Sequence, residues 1–293
     1  MAKLSERVDQ MVKDGKLSAD DGKLLLYKAD IIRRILSIYN HIAKSPVSSV
    51  TTERLAQADI KIIPWSTDTP RGQKPIFFKQ MALDDFNSCE MPRMSSIYPP
   101  LDSREFAYAA KARLSRCLNY FQPPTRDETL PEMRGWRDYK YNSESLSGGG
   151  DDVTPGRQYE WKVFHILAQA TVPHMVVCSM HVSEDSTRIL QDELTILLKV
   201  IWGVARETWL RAEVTPVLLV SMHNFQFRIT EAYYDGSKLI ARQSNPVPMR
   251  LTDSPEDQLK TVNWVLRWAS STPLGETKSF SSISALGREE APS

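Results

Sequence analysis

Between residues 214 and 242, three strand patterns follow one another with short breaks, and this run constrains the fold more than any other part of the chain. Residues 214–222 are nearly all apolar, which suits a strand buried on both faces. The next run alternates Phe225, Phe227, Ile229, Glu231 and Tyr233 with Gln226, Arg228, Thr230, Ala232 and Tyr234, and Asp235-Gly236 joins it to a third strand at 238–242. The spacing predicts an antiparallel meander. A helix follows, with Ser254 as cap, Pro255 at the first helical position, acids at Glu256 and Asp257, and Leu259, Val262, Val265, Leu266 and Ala269 inward.

Upstream of the meander, residues 174–178 predict a short central strand and 186–210 a long helix with Leu190, Leu194, Leu197, Leu198, Ile201 and Ala205 on one stripe. Residues 156–170 read as a helix on which Glu160 faces Phe164 and Trp161 faces His165. The order from Gly156 is therefore helix, strand, long helix, three strands, helix. It predicts a mixed α/β (α+β) core over 156–270 with helices covering a central sheet.

Residues 1–45 form a helical N-terminal extension. Leu4, Val8 and Met11 mark one helix, and Leu24, Leu25, Ile31, Ile32, Ile35, Leu36, Tyr39 and Ile42 mark a longer one. Its apolar face needs a cover from the core, a second copy or a partner, which makes residues 21–43 a candidate surface for protein association. Segment 46–155 is interrupted by proline. It is expected to be irregular, with one short strand at 59–63, a helix opened by Asp102-Ser-Arg-Glu105, and a flexible linker around the three glycines 148–150. These glycines lack the Lys-Ser or Lys-Thr ending of a phosphate-binding loop. Residues 271–293, rich in serine, are expected to be a disordered tail.

Composition removes several function classes. The 37 Lys and Arg against 36 Asp and Glu give a net charge of +1, so no global field attracts nucleic acid or membrane. The longest apolar runs fall well short of the ~20 residues that cross a bilayer, so no membrane span is expected. Cys89, Cys117 and Cys178 are far apart and no secretory leader precedes them, which points to an intracellular protein of cytoplasm or nucleus.

Candidate chemistry is sparse. Glu160 is the first acid able to orient a divalent metal, with Asp185 and Asp192 as further ligands; Glu193 and Glu231 are other acids within the core. His174, His181 and His223 flank strands without a zinc-binding spacing. Ser179 lacks a nucleophile elbow, and Cys178 and His181 fall on opposite faces of a strand, so Cys178 reads as a buried hydrophobe. Arg134, Arg137 and Lys140 interleave with Trp136, Tyr139 and Tyr141, a pattern that suits nucleic acid but is better explained by packing around a linker.

Two segments, Gln158-Tyr-Glu160-Trp161-Lys-Val-Phe-His165 and Ile201-Trp202-Gly-Val-Ala205 with the following Thr215-Pro216 to His223, resemble the PD-(D/E)XK nuclease-like domain of fungal proteins. The resemblance spans about 90 residues within 157–243. It implies a restriction-endonuclease-like mixed sheet in which a helix Glu, a strand Asp and a Glu-x-Lys pair hold Mg²⁺ and activate water. Glu160 is the position that carries over. Residues 174–185 contain no Glu-x-Lys or Asp-x-Lys pair. The expectation is a nuclease-like fold whose centre is degenerate, serving binding or assembly. An active Mg²⁺-dependent nuclease and a purely structural interaction protein are the alternatives.

Overall fold

The computed structural model describes residues 2–43, 50–66, 75–88, 103–120, 128–141, 146–148, 160–182, 188–206, 212–223, 225–250 and 252–280. The helices are α1 (Ala2–Lys13), α2 (Ala19–Ala43), α3 (Thr52–Gln57), α4 (Leu83–Asn87), α5 (Ser103–Tyr120), α6 (Gln191–Ala205) and α7 (Pro255–Ala269). The first strands are β1 (Ile60–Trp65), β2 (Phe78–Lys79), β3 (Trp136–Asp138), β4 (Ser147–Gly148) and β5 (Glu160–Gln169). The others are β6 (Met175–Val182), β7 (Val217–His223), β8 (Gln226–Tyr234), β9 (Leu239–Ser244), β10 (Val247–Pro248) and β11 (Thr272–Pro273).

A nine-stranded sheet runs β1-β9-β8-β7-β6-β5-β3, with β10 beside β8 and β4 beside β5. Pairs are antiparallel except β1 with β9 and β6 with β7; α6 makes the crossover between the latter two. The predicted meander is β7-β8-β9, turned at Asp235-Gly236, where Gly236 takes φ +98° and Asp235 N donates to Lys238 O at 3.0 Å. Central strands are buried on both sides because each face carries helices. Val176, Cys178, Met180, Leu218 and Val220 join the core under α5 and α7, while Met175, Val177, Val217 and Leu219 join the core under α2 and α6. The architecture is therefore mixed α/β, a central sheet between flanking helices.

The N-terminal pair forms as predicted. Ser18 Oγ accepts from Asp21 N at 3.1 Å and starts α2. At Gly22 an added Cβ would stand 3.0 Å from Val12 Cγ2, so glycine permits the close crossing of α1. Ile31, Ile35, Ile38 and Ile42 are buried in the same core as Leu194, Leu197 and Ile201 of α6. The apolar face within 21–43 is covered by the chain's own core. Among the described residues no helix is long and apolar enough to cross a membrane.

Three expectations are corrected. Residues 160–169 are strand β5, not a helix. Phe164 is the extra residue of a bulge between Val163, which pairs with Ser179, and His165, which pairs with Cys178. The bulge makes Val163 and Ile166 point to the same core three residues apart, a spacing that imitates a helix. Second, segment 46–155 is not separate from the core, because β1, β3 and β4 are strands of the central sheet. β1 continues through Pro64, which an edge strand tolerates because its outer N–H is not needed for pairing. Third, the chain beyond residue 270 is structured as far as Phe280. β11 pairs with β2, Trp136 Nε1 donates to Ser271 O at 2.7 Å, and Leu274 N donates to Phe77 O at 2.8 Å. Residues 281–293 lie outside the described residues.

Candidate functional site

The densest polar cluster lies between α6 and the ends of β6 and β7. Glu193 sits in the first turn of α6 and is fully buried. Its Oε2 accepts from Leu190 N at 2.9 Å and from Arg228 Nη1 at 3.0 Å. Its Oε1 accepts from Ser221 Oγ at 2.5 Å and meets His223 Nε2 at 3.2 Å. These four contacts use the roughly four acceptor positions of a carboxylate. Arg228 also donates to Arg188 O at 2.9 Å, which anchors the approach to α6 on β8.

Beside this cluster, Ser179 Oγ and His181 Nε2 are 2.8 Å apart, and the His181 ring stacks on His223 with centroids 5.1 Å apart and planes at 16°. All of these side chains are buried. Burial and the neighbouring His223 push the His181 imidazole down to about 3, with Arg228 acting in the same direction and Glu193 against it. Burial works to raise the Glu193 carboxyl, but Arg228, His223 and His181 together hold it well below the usual carboxylate range. Nδ1 of both histidines has no hydrogen-bond partner. Near-parallel stacked rings do not let one ion lie in both ring planes, as bidentate histidine ligation requires. Among the described residues no group of three or more His, Cys, Asp or Glu is placed to hold a metal.

A second buried carboxylate, Glu231 of β8, faces the other side of the sheet. Its Oε1 accepts from Ile76 N at 3.0 Å and its Oε2 from Phe77 N at 2.7 Å, with Arg242 Nε 3.8 Å from Oε1. Burial raises this carboxyl to about 7, against the pull of those N–H groups and Arg242. Glu231 ties the segment before β2 onto the sheet. Glu193 and Glu231 therefore do not converge.

The residues singled out in the sequence are distributed as follows. Glu160 opens β5 opposite Val182, at the end of β6. Asp192 is in the first turn of α6 and largely buried, with its charge acting on Lys199. Asp185 lies outside the described residues. His174 Nε2 is 2.8 Å from Leu274 O, on the far side of the sheet from His181, and burial lowers it to about 4. Cys178 is buried, with its thiol pushed up to about 12 by desolvation. Within the basic and aromatic run, Trp136 is fully buried, Tyr141 Oη donates to Val163 O at 3.0 Å and Arg134 pairs with Asp85 at 2.5 Å, while Arg137 and Lys140 are exposed.

Ser221 and Arg228 were not legible as members of a site. Arg228 occupies what reads as the polar face of an alternating strand, but α6 covers that face. A charged residue beside Phe227 and Ile229 in a strand without an exposed side is the signal that would have found it. Compared with protein-family models, with curated proteins and with solved structures, the chain matches none.

Proposed function

We propose that this chain is a binding or assembly module on a nuclease-like α/β scaffold whose acidic centre is degenerate. The observation that carries this reading is Glu193. Its carboxylate is saturated by Leu190 N, Ser221, His223 and Arg228, so it is committed to joining α6 to the sheet. The β5–β6 hairpin, the α6 crossover and the parallel β7 are consistent with a restriction-endonuclease-like core. Such a scaffold can outlast its chemistry. An intracellular setting belongs to the same reading, supported by the free thiols of Cys117 and Cys178. Assembly through residues 21–43 would use the side of α2 away from the buried Ile31, Ile35, Ile38 and Ile42, where Lys23 and Arg33 are exposed and Ile32 is half-buried. Nucleic acid as the bound partner has less support, since Trp136 is part of the core.

One arrangement favours the alternative of an active Mg²⁺-dependent nuclease. Glu160 begins β5 opposite the end of β6, and Asp192 begins α6, so both belong to the edge from which β6 leaves the sheet; Asp185 falls between β6 and α6 in sequence. In open α/β sheets ligands gather at such carboxyl ends. The test is titration of the full chain with Mg²⁺ and Mn²⁺, comparing wild type with Glu160→Ala and Asp192→Asn. Heats without saturation in all three fit the binding module. Saturable binding lost in both variants, together with metal-dependent cleavage of DNA or RNA, would replace it with the nuclease.

A further inference from the structure

A cleft of ≈ 570 Å³ opens between α2, α3 and the β8–β9 turn. Ala232, near the end of β8, pairs with Val217 at the start of β7, whereas His223 at the end of β7 pairs with Gln226. The cleft is thus at the opposite end of the sheet from the Glu193 cluster. Its volume is in the range of small-molecule sites, but apart from Ile38 and Ala58 its lining residues carry hydrogen-bonding side chains, unlike the usual apolar walls.

Two guanidinium groups and one carboxylate, Asp59, set its charge. Arg34 is ion-paired with Asp30, Nε to Oδ2 at 2.8 Å, and also hydrogen-bonds Tyr234. Arg54 Nη2 donates to His41 O at 3.0 Å, which fixes the guanidinium against the end of α2. Its Nε is buried and has no hydrogen-bond partner. With Nε enclosed, the guanidinium meets an anionic oxygen entering the cleft through its terminal N–H groups. Gln57 and Asn40 add neutral donors and acceptors, while Asp59 can accept from hydroxyl groups and opposes a second anionic group.

We propose that this cleft binds a small polyol carrying a single phosphate, with the phosphate against Arg54 and Arg34 and the hydroxyls toward Gln57, Asn40 and Asp59. The proposal deepens the binding-module reading, and the two fail separately, because the metal titration reads the β6 end of the sheet and this one reads the cleft.

The test is calorimetric titration of the full chain with ribose 5-phosphate, with inorganic phosphate and ribose as separate arms. Saturable binding of ribose 5-phosphate, tighter than either fragment, is expected. Arg54→Gln should weaken it on the order of tenfold or more, the worth of one charge-assisted hydrogen bond. Ser37→Glu places a negative charge in the lining at an exposed residue that makes no side-chain hydrogen bond among the described residues, so it should weaken binding without changing the melting temperature. Lys23→Gln, on an exposed part of α2 away from the cleft, should bind as wild type. Absence of saturable binding, equal affinity for inorganic phosphate, or affinity unchanged in both Arg54→Gln and Ser37→Glu would overturn the proposal.

Discussion

Arg228 Nη1 lies 3.0 Å from Glu193 Oε2, and neither side chain reaches solvent. A buried pair of this kind is most informative when one partner is removed, because the other charge is then left without compensation. Arg228→Met should cost about 3–5 kcal/mol of stability. The double variant Arg228→Met with Glu193→Met should cost less than the two single losses added together. Urea unfolding of the four proteins closes the cycle. A loss below about 1 kcal/mol for Arg228→Met would mean that Ser221, His223 and Leu190 N satisfy Glu193 unaided.

Glu231 gives an opposite pH signature to most buried acids. Its folded carboxyl is raised by burial to about 7 from 4.5, so the folded state holds a proton that the unfolded chain has released. This contribution is full below pH 4.5 and is lost as pH rises through 7, with a total of about 3 kcal/mol. His174 and His181, lowered to about 4 and about 3, act the other way and cost stability as pH falls below 6.5. The contribution of Glu231 is therefore read as the difference between wild type and Glu231→Gln in melting temperature across pH 4.5 to 8. Wild type should lose ground to the variant as pH rises. A difference that does not vary with pH would show the carboxylate to be ionised throughout, held by the N–H groups of Ile76 and Phe77.

Those two carboxylates also explain what the sequence made legible. Strands β6 and β7 and helix α6 were readable because continuous apolar runs have one stable placement, buried on both faces. β5 was not, since the bulge at Phe164 breaks its two-residue period. β3 and β4 were too short to carry a pattern, whereas the strand read at 59–63 is β1, which runs on past Pro64 to Trp65. Acids in the core could be named by residue type, yet their partners could not. Glu193 meets Ser221, His223 and Arg228 only after a parallel crossover, and Glu231 meets the backbone of a segment more than 150 residues earlier.

The chain beyond Ser270 is expected to be necessary for the fold. Besides pairing β11 with β2, it supplies Thr277 O to the N–H groups of Glu213 and Val214 and places Phe280 against Tyr27 and Tyr234. A chain ending at Ser270 would strip these partners and leave the buried Trp136 Nε1 without its acceptor. At about 1–3 kcal/mol for each buried polar group left unpaired, several kcal/mol should be lost. Guanidinium unfolding checks this, and a midpoint equal to that of the full chain would restore the disordered-tail reading.

Trp136 separates a structural from a nucleic-acid role for the run at 134–141. Its ring is fully buried, stacks near Phe78 with planes at 14°, and donates to Ser271 O. Trp136→Ala should therefore cost about 3–5 kcal/mol, as expected for a large aromatic removed from a core. An exposed base-stacking residue would behave differently, losing about 1–3 kcal/mol of binding per base with stability nearly unchanged. Chemical denaturation together with fluorescence titration by single-stranded DNA distinguishes the two. Arg137→Gln provides the control, because it sits on the exposed edge strand β3 and its loss should leave the core intact. Unchanged stability in Trp136→Ala with weakened DNA binding in both variants would make this run a nucleic-acid surface and remove Trp136 from the core.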